Sequence, residues 1–287
     1  MIPTSSRAAA LAGLALYAPC RRGGILAQRA ASALIRLFGP LAIPGRRASW
    51  RPVMAEEVWC ALAERWEHEL GPFDELAGYR RMEGRAGMSL LLIAGGRPLA
   101  FIKVARDAAI TLGHAREVLQ LVGRTRPRSF SVPEPLASGE VDGWHYLALS
   151  PLPPMRHEPP SQPPLDLILG EIELALQALP RPADTPPSWR AMHGDFTPWN
   201  LRQVGRRLYL MDWDDANWGP PHADLVLYMA AEDALGRRAV RSHPAHEAIE
   251  FWSQRIQDRI IGGERNKRLA RLLLAALARM RAAPGAP

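Results

Sequence analysis

The run His193-Gly194-Asp195-Phe196-Thr197-Pro198-Trp199-Asn200, followed after a short interval by Met211-Asp212-Trp213-Asp214, constrains this chain more than any other feature. Between the two groups, Leu201 to Val204 and Leu208 to Met211 are short, partly alternating apolar runs joined by Gly205-Arg206-Arg207, which reads as a tight β-hairpin. A hairpin returns the chain to where it began. Asn200 and Asp212 must then lie side by side, with Asp195 a few residues upstream on the same loop.

An amide and a carboxylate set together are hard oxygen donors suited to Mg²⁺. A further carboxylate, not tied to metal, can accept or orient the proton of an attacking hydroxyl. Phosphoryl transfer needs little more, because its catalysis is mostly positioning and charge neutralisation. Asp195 is the candidate base, and Asn200 and Asp212 are the candidate ligands. Taken singly, Asp212 reads as a turn residue and Asn200 as a strand-end amide; their joint spacing favours a site. Asp214 and Asp215 have two readings, as shapers of the metal site or as residues of a solvated loop. Asp224, ahead of Leu225-Val226-Leu227-Tyr228-Met229, reads as a helix N-cap.

The pattern His-Gly-Asp-Phe-x-Pro-x-Asn, a hairpin, and then the stretch from Asp212 to Leu225 resembles the aminoglycoside phosphotransferase and choline kinase group of the protein-kinase-like fold. About thirty residues with several fixed spacings carry the resemblance, far more than a lone glycine motif. It implies an α+β bilobal fold, a small antiparallel-sheet lobe and a larger, mainly helical one. It also implies Asp195 as catalytic base, His193 as the residue that organises its loop, Asn200 and Asp212 as Mg²⁺ ligands, and ATP as phosphate donor.

A cation for the nucleotide phosphates is sought in the amino-terminal half. Of thirty-six basic residues only Lys103 and Lys267 are lysines. Lys103 lies in the apolar, β-prone run Leu99 to Val104, behind the turn Gly95-Gly96-Arg97-Pro98, where an ammonium can project from a buried strand. Alone it reads as a snorkelling strand residue. By resemblance it is the lysine that pairs with the α- and β-phosphates, and Glu117, on the helical pattern from Leu112 to Val122, is the carboxylate that orients it. Gly84 and Gly87, between the runs Tyr79 to Glu83 and Ser89 to Ile93, form either a nucleotide-covering loop or a plain hairpin turn. The strand from Trp144 to Leu149, entered through a turn at Asp142-Gly143, corresponds to the family's hinge, so backbone groups near Leu149 are expected to meet the adenine edge.

With 287 residues, nearly half of them apolar, the chain can bury a sizeable core. The expected division is a basic helical extension over 1–70, a small nucleotide-binding lobe over 71–150, and a large catalytic and acceptor-binding lobe over 151–287. Pro151 to Pro164 is a connector that continues neither strand nor helix. Residues 56–70 read as an amphipathic helix with Val58, Trp59, Leu62, Trp66 and Leu70 on one face, and Ala245 to Ile261 and Glu264 to Met280 as two more. Cys20 and Cys60 suit a reducing compartment and form no metal-ligand pattern.

The net charge of +7 raises nucleic acid as a partner, but no aromatic–basic platform or groove-reading motif accompanies it, so none is expected. Residues 1–55 hold eight arginines and no acid, with apolar stretches at Ala8 to Ala18 and Ile25 to Leu41 that are too short or too charged to span a bilayer. They are expected to form helices that pack on the small lobe or rest peripherally on a membrane surface; the protein is expected in the cytoplasm. The function expected is transfer of the ATP γ-phosphate to a hydroxyl of a small molecule, a sugar or amino alcohol. Like charge on the basic carboxyl-terminal helices disfavours a polycationic aminoglycoside. The alternative is a catalytically silent nucleotide-binding or scaffold protein on the same fold. Oligomeric state is not legible in the sequence.

Overall fold

The computed structural model describes residues 2–17, 19–43, 54–80, 87–106, 108–239, 245–262 and 266–282. Two compact units are present, one of Met1–Arg116 with Pro133–Glu158, the other of Glu117–Val132 with Pro159–Pro287. The architecture is α+β, as expected: one unit is built on an antiparallel sheet and the other is mainly helical.

The first unit contains helices α1 (Arg7–Leu16), α2 (Arg22–Phe38) and α3 (Glu56–Leu70) and strands β1 (Glu75–Arg80), β2 (Gly87–Ala94), β3 (Arg97–Arg106), β4 (Pro135–Val141), β5 (Trp144–Leu149) and the short β6 (His157–Glu158). The strands from β1 to β5 form one antiparallel sheet in the order β1-β2-β3-β5-β4. Its tight turns are made where the sequence allows positive φ. Gly95 and Gly96 (φ 56° and 75°) join β2 to β3, and Asp142 and Gly143 (φ 48° and 73°) join β4 to β5.

Alternation along the strands then decides which helix covers which face. Met88, Leu90, Leu92, Ala100, Ile102, Val104, Trp144, Tyr146 and Ala148 share a core with Leu62 and Trp66 of α3. Trp66 meets Tyr146 edge-on at 6.0 Å, and the Tyr146 hydroxyl donates to Glu69 Oε2 at 2.6 Å. On the opposite face, Ala77, Leu91 and Ile93 pack against Ala9 and Ala12 of α1. Small residues let this helix approach closely: a Cβ at Gly13 would fall 2.9 Å from the Ala77 Cβ. The other side of α1, Ala10 and Leu14, packs on Ile35 of α2. The extension therefore forms two further layers, α1 on the sheet and α2 on α1.

Helix α4 (Ala109–Thr125) begins in the first unit and continues into the second. The second unit adds α5 (Leu165–Ala175), β7 (Arg190–Met192), β8 (Leu201–Val204), β9 (Arg207–Leu210), β10 (Asn217–Gly219), α6 (Ala223–Ala234), α7 (His246–Ile261) and α8 (Lys267–Ala282). Helices α6, α7 and α8 enclose the main core, with Val226, Leu227, Ile249, Trp252, Ala276 and Leu277 at its centre. The Trp252 indole donates to the Ala223 carbonyl at 2.7 Å and fixes the start of α6. Cys20 and Cys60 form no disulfide, and among the described residues no helix is long and apolar enough to cross a membrane.

Leu62 is fully buried at the centre of the α3–sheet core. Leu62→Ala removes apolar contact and leaves a cavity that the surrounding sheet cannot close, so it should cost about 2–5 kcal/mol. Urea unfolding followed by circular dichroism should show a lower midpoint with an unchanged slope.

Candidate functional site

Strand β7 pairs with β10, which brings the chain after Met192 beside the residues that precede β10. The approach is very close at Gly194, where φ is +79° and a Cβ would lie 1.9 Å from the Asp215 carbonyl oxygen. Only glycine fits. The carboxylate of Asp224, buried in the first turn of α6, accepts the backbone N–H of His193 at 2.7 Å and of Gly194 at 3.1 Å. The expected N-cap role of Asp224 is thereby corrected. His222 stands at the cap position, in the left-handed region, and Asp224 spends its oxygens on the loop. Burial pushes the Asp224 pKa up to about 6, against the opposing pull of those two N–H groups.

His193 is fully buried, its ring 4.4 Å from Trp213 and 6.3 Å from Phe196. Its Nδ1 accepts the Asp195 N–H at 3.2 Å, which leaves Nε2–H to donate to the Met211 carbonyl at 3.0 Å. One imidazole thus ties Asp195 to the residue immediately before Asp212.

The hairpin of β8 and β9 completes the convergence, pairing Leu201 with Leu210 and Val204 with Arg207. The turn is one residue shorter than the sequence suggested: Arg207 enters the strand and only Gly205 and Arg206 remain outside. At the open end, Met211 N–H donates to the Asn200 carbonyl at 3.0 Å. The Asn200 side-chain nitrogen donates to Asp195 Oδ2 at 2.7 Å and to the Asp195 carbonyl at 2.9 Å. Asp212 follows with φ 66° and ψ 64°, a conformation that costs an aspartate less than most residues and that recurs at functional sites.

Three carboxylates are concentrated here. Although Asp195 keeps some surface, its carboxyl is enclosed, and burial together with the charges of Asp212 and Asp215 holds its pKa well above the usual carboxylate range. The Asn200 hydrogen bond and Arg259 oppose that shift. Asp215 is paired with two arginines of α7, Arg255 at 3.7 Å and Arg259 at 3.2 Å.

Of the residues singled out in the sequence, His193, Asp195, Asn200 and Asp212 are thus joined in the second unit. Lys103 is buried on β3 of the first unit, in register with Ser89 and Leu147, and Leu149 is the buried last residue of β5. Glu117 is exposed on α4 and belongs to the second unit. Gly87 is not part of a loop. It opens β2 opposite Ala105, where a Cβ would lie 3.0 Å from the Val104 carbonyl oxygen. Gly84 lies outside the described residues.

Sequence reading missed the loop clamp at Asp224 and the α7 arginines. Asp224 carried no signal of its own, because an acid ahead of an apolar run looks the same whether it caps a helix or reaches across to a loop. Arg255 and Arg259 carried a weak one: their i, i+4 spacing puts both on one face of α7.

Residues 155–259 match the profile of the phosphotransferase enzyme family, and the segment includes every group just joined. A GDP complex of aminoglycoside 2′-phosphotransferase-IIIa has the same fold, with a TM-score of 0.51 and 12% identity over 78% of this chain and 99% of that one. A macrolide 2′-phosphotransferase from Brachybacterium faecium gives 0.47 at 15% identity, over 76% and 97%. An aminoglycoside phosphotransferase from Streptomyces rimosus gives 0.45 at 14%, over 78% and 99%. No curated protein matches in sequence.

The raised pKa of Asp224 makes stability depend on pH. Between about pH 4 and about 6 the folded protein keeps a proton that the unfolded chain releases, so this group's contribution to stability falls as pH rises through that window and levels off above it. Asp224→Asn cannot titrate. In urea unfolding across that range, the stability difference between wild type and Asp224→Asn should shift in the variant's favour as pH rises to about 6, then stay constant.

Proposed function

We propose that this chain, whose residues 155–259 match the phosphotransferase enzyme family, moves the γ-phosphate of ATP to a hydroxyl of a small molecule. The observation that carries the reading is the junction of Asp195, Asn200 and the residue preceding Asp212: a carboxylate and an amide joined directly, with the backbone just before a second carboxylate hydrogen-bonded to Asn200 and His193 within one unit. That a protein of like fold is a GDP complex is in keeping with a nucleotide donor.

Asp195 is the base. Its Oδ2 is engaged by Asn200, which leaves Oδ1 to take the acceptor's proton. A carboxylate whose surroundings raise its pKa is also a stronger proton acceptor than a solvated one. His193 and Asp224 do no chemistry in this scheme. They hold the backbone from which Asp195 projects.

Asn200 and Asp212 would hold Mg²⁺, and the donor set suits it. The Asn200 nitrogen is committed to Asp195, so its carbonyl oxygen is the remaining donor. The carboxylates around Asp195 also repel one another, a charge concentration that a cation relieves. Among the described residues no group of three or more His, Cys, Asp or Glu is arranged to hold a metal alone. This agrees with a small cation held by one carboxylate, one amide and the substrate's phosphates. Bound there, Mg²⁺ would offset the charge on the β- and γ-phosphates. Lys103 would hold the α- and β-phosphates with Glu117 orienting it, Gly84 and, from the first residue of β2, Gly87 would allow backbone to approach the phosphates, and backbone groups near Leu149 would meet the base.

The acceptor is a sugar or amino alcohol of low positive charge. Arg255 and Arg259, beside Asp215 on the same side as Asp195, disfavour a polycation.

Asp195→Ala should abolish phosphate transfer while leaving nucleotide affinity near wild type, read by coupled turnover assay against a panel of sugars and amino alcohols and by calorimetry. Lost affinity with intact turnover would overturn the role. Asp212→Ala should remove the Mg²⁺ dependence of nucleotide binding, and a titration whose Mg²⁺ dependence is unaltered would remove Asp212 from the metal site.

A further inference from the structure

Among the described residues, helix α2 packs through one face, and its Arg29 pairs with Glu158 at 2.9 Å. Ile35 is fully buried against Ala10 and Leu14 of α1, and Gln28 Nε2 donates to the Leu14 carbonyl at 3.1 Å. Around the rest of the helix, Leu26, Ala30, Leu34 and Leu37 succeed one another at intervals of three or four residues, so they form a single stripe, with Phe38, the last helical residue, beside its end and Leu41 beyond it. Leu26 is 62% exposed, Leu37 69%, Phe38 70% and Leu41 59%. A lone exposed leucine is ordinary on a protein surface. A stripe of them along one helix is the mark of an interaction face.

Charge identifies the occupant. Arg22, Arg29 and Arg36 recur every seventh residue and form an exposed ridge along one edge of the stripe, and Arg21 stands beside its start. Of the 36 basic side chains of the protein, eight lie in residues 1–55, which hold none of its 29 acids. The other residues are close to neutral, 28 basic against 29 acidic, so the whole positive excess belongs to the extension. An apolar stripe bordered by arginines fits a surface with phosphates at its edge and hydrocarbon beneath. A second copy of the chain fits it poorly, because a symmetric pairing would set one arginine ridge against another.

We propose that α2 lies in the interfacial plane of an anionic lipid bilayer, with Leu26, Leu34, Leu37, Phe38 and Leu41 at the acyl boundary and Arg22 and Arg36 at the headgroup phosphates. The inference does not depend on the phosphotransfer reading.

The test is co-sedimentation of the full chain with vesicles of phosphatidylcholine alone and of equimolar phosphatidylglycerol and phosphatidylcholine. Protein should pellet with the anionic vesicles, less so in high salt. Leu37→Glu with Phe38→Glu should abolish pelleting, and Arg22→Gln with Arg36→Gln should weaken it roughly fivefold per arginine. All four side chains are exposed, so thermal unfolding by circular dichroism should match the wild type and separate lost binding from lost fold. A folded wild type that stays in solution with anionic vesicles would overturn the proposal. So would equal binding to both vesicles, or pelleting that survives Leu37→Glu with Phe38→Glu. Light scattering that shows a dimer dissolved by those substitutions would assign the face to a second copy instead.

Discussion

A single buried carboxylate holds the loop that carries Asp195 to the protein. Asp224 takes two consecutive backbone N–H groups, from His193 and Gly194, that a sharply turned loop would otherwise leave unpaired. Asp224 is rigid because α6 is rigid: the Trp252 indole fixes the Ala223 carbonyl next to it, and Val226, Ala230 and Ala231 bury the helix against α7 and α8. The position of Asp195 is therefore set by the helical core rather than by the loop's own preferences. Burying Asp224 is unfavourable for its charge, as its raised pKa records, and the two N–H bonds are what offset it. A loop placed in this way can be long in sequence and still precise in space.

The three aspartates around the site differ through their partners and not through their chemistry. Asp195 is enclosed and held by the Asn200 amide, Asp215 faces two arginines, and Asp212 sits at the mouth of the hairpin in a left-handed conformation. Environments that push like groups apart allow one small region to serve the two roles proposed for Asp195 and Asp212. Of the two acids with two readings in the sequence, Asp215 is paired with Arg255 and Arg259 of α7.

What the sequence disclosed follows from how local the determinants are. The hairpin of β8 and β9, the turn at Asp142 and Gly143 and the helix from Glu56 to Leu70 rest on period and turn chemistry within a few residues, and they were legible. The convergence of Asn200 with Asp195 was legible for the same reason, since a hairpin fixes it. Helix α5 escaped notice because it follows a proline-rich connector and its Leu167 and Leu174 are exposed, which blurs its apolar face. Gly87 was mistaken for a loop residue because glycine signals a turn as readily as it signals a close strand approach, and only the pairing with Ala105 distinguishes them. Asp224 and the α7 arginines act across about thirty to forty residues of sequence, and no local pattern encodes such contacts.

The location of charge bears on the acceptor as well as on the extension. Helices α7 and α8 look strongly basic in sequence, yet Arg279 pairs with Asp233, Arg281 with Glu250, and Arg255 and Arg259 with Asp215. Much of their charge is met locally, so these helices repel cations less than their composition suggests. The extension differs, because among its arginines Arg29 is compensated by Glu158 while no acid lies within residues 1–55 to meet the rest. The arginines proposed to meet a lipid surface and those proposed to bear on the acceptor are thus separate sets, one in each unit.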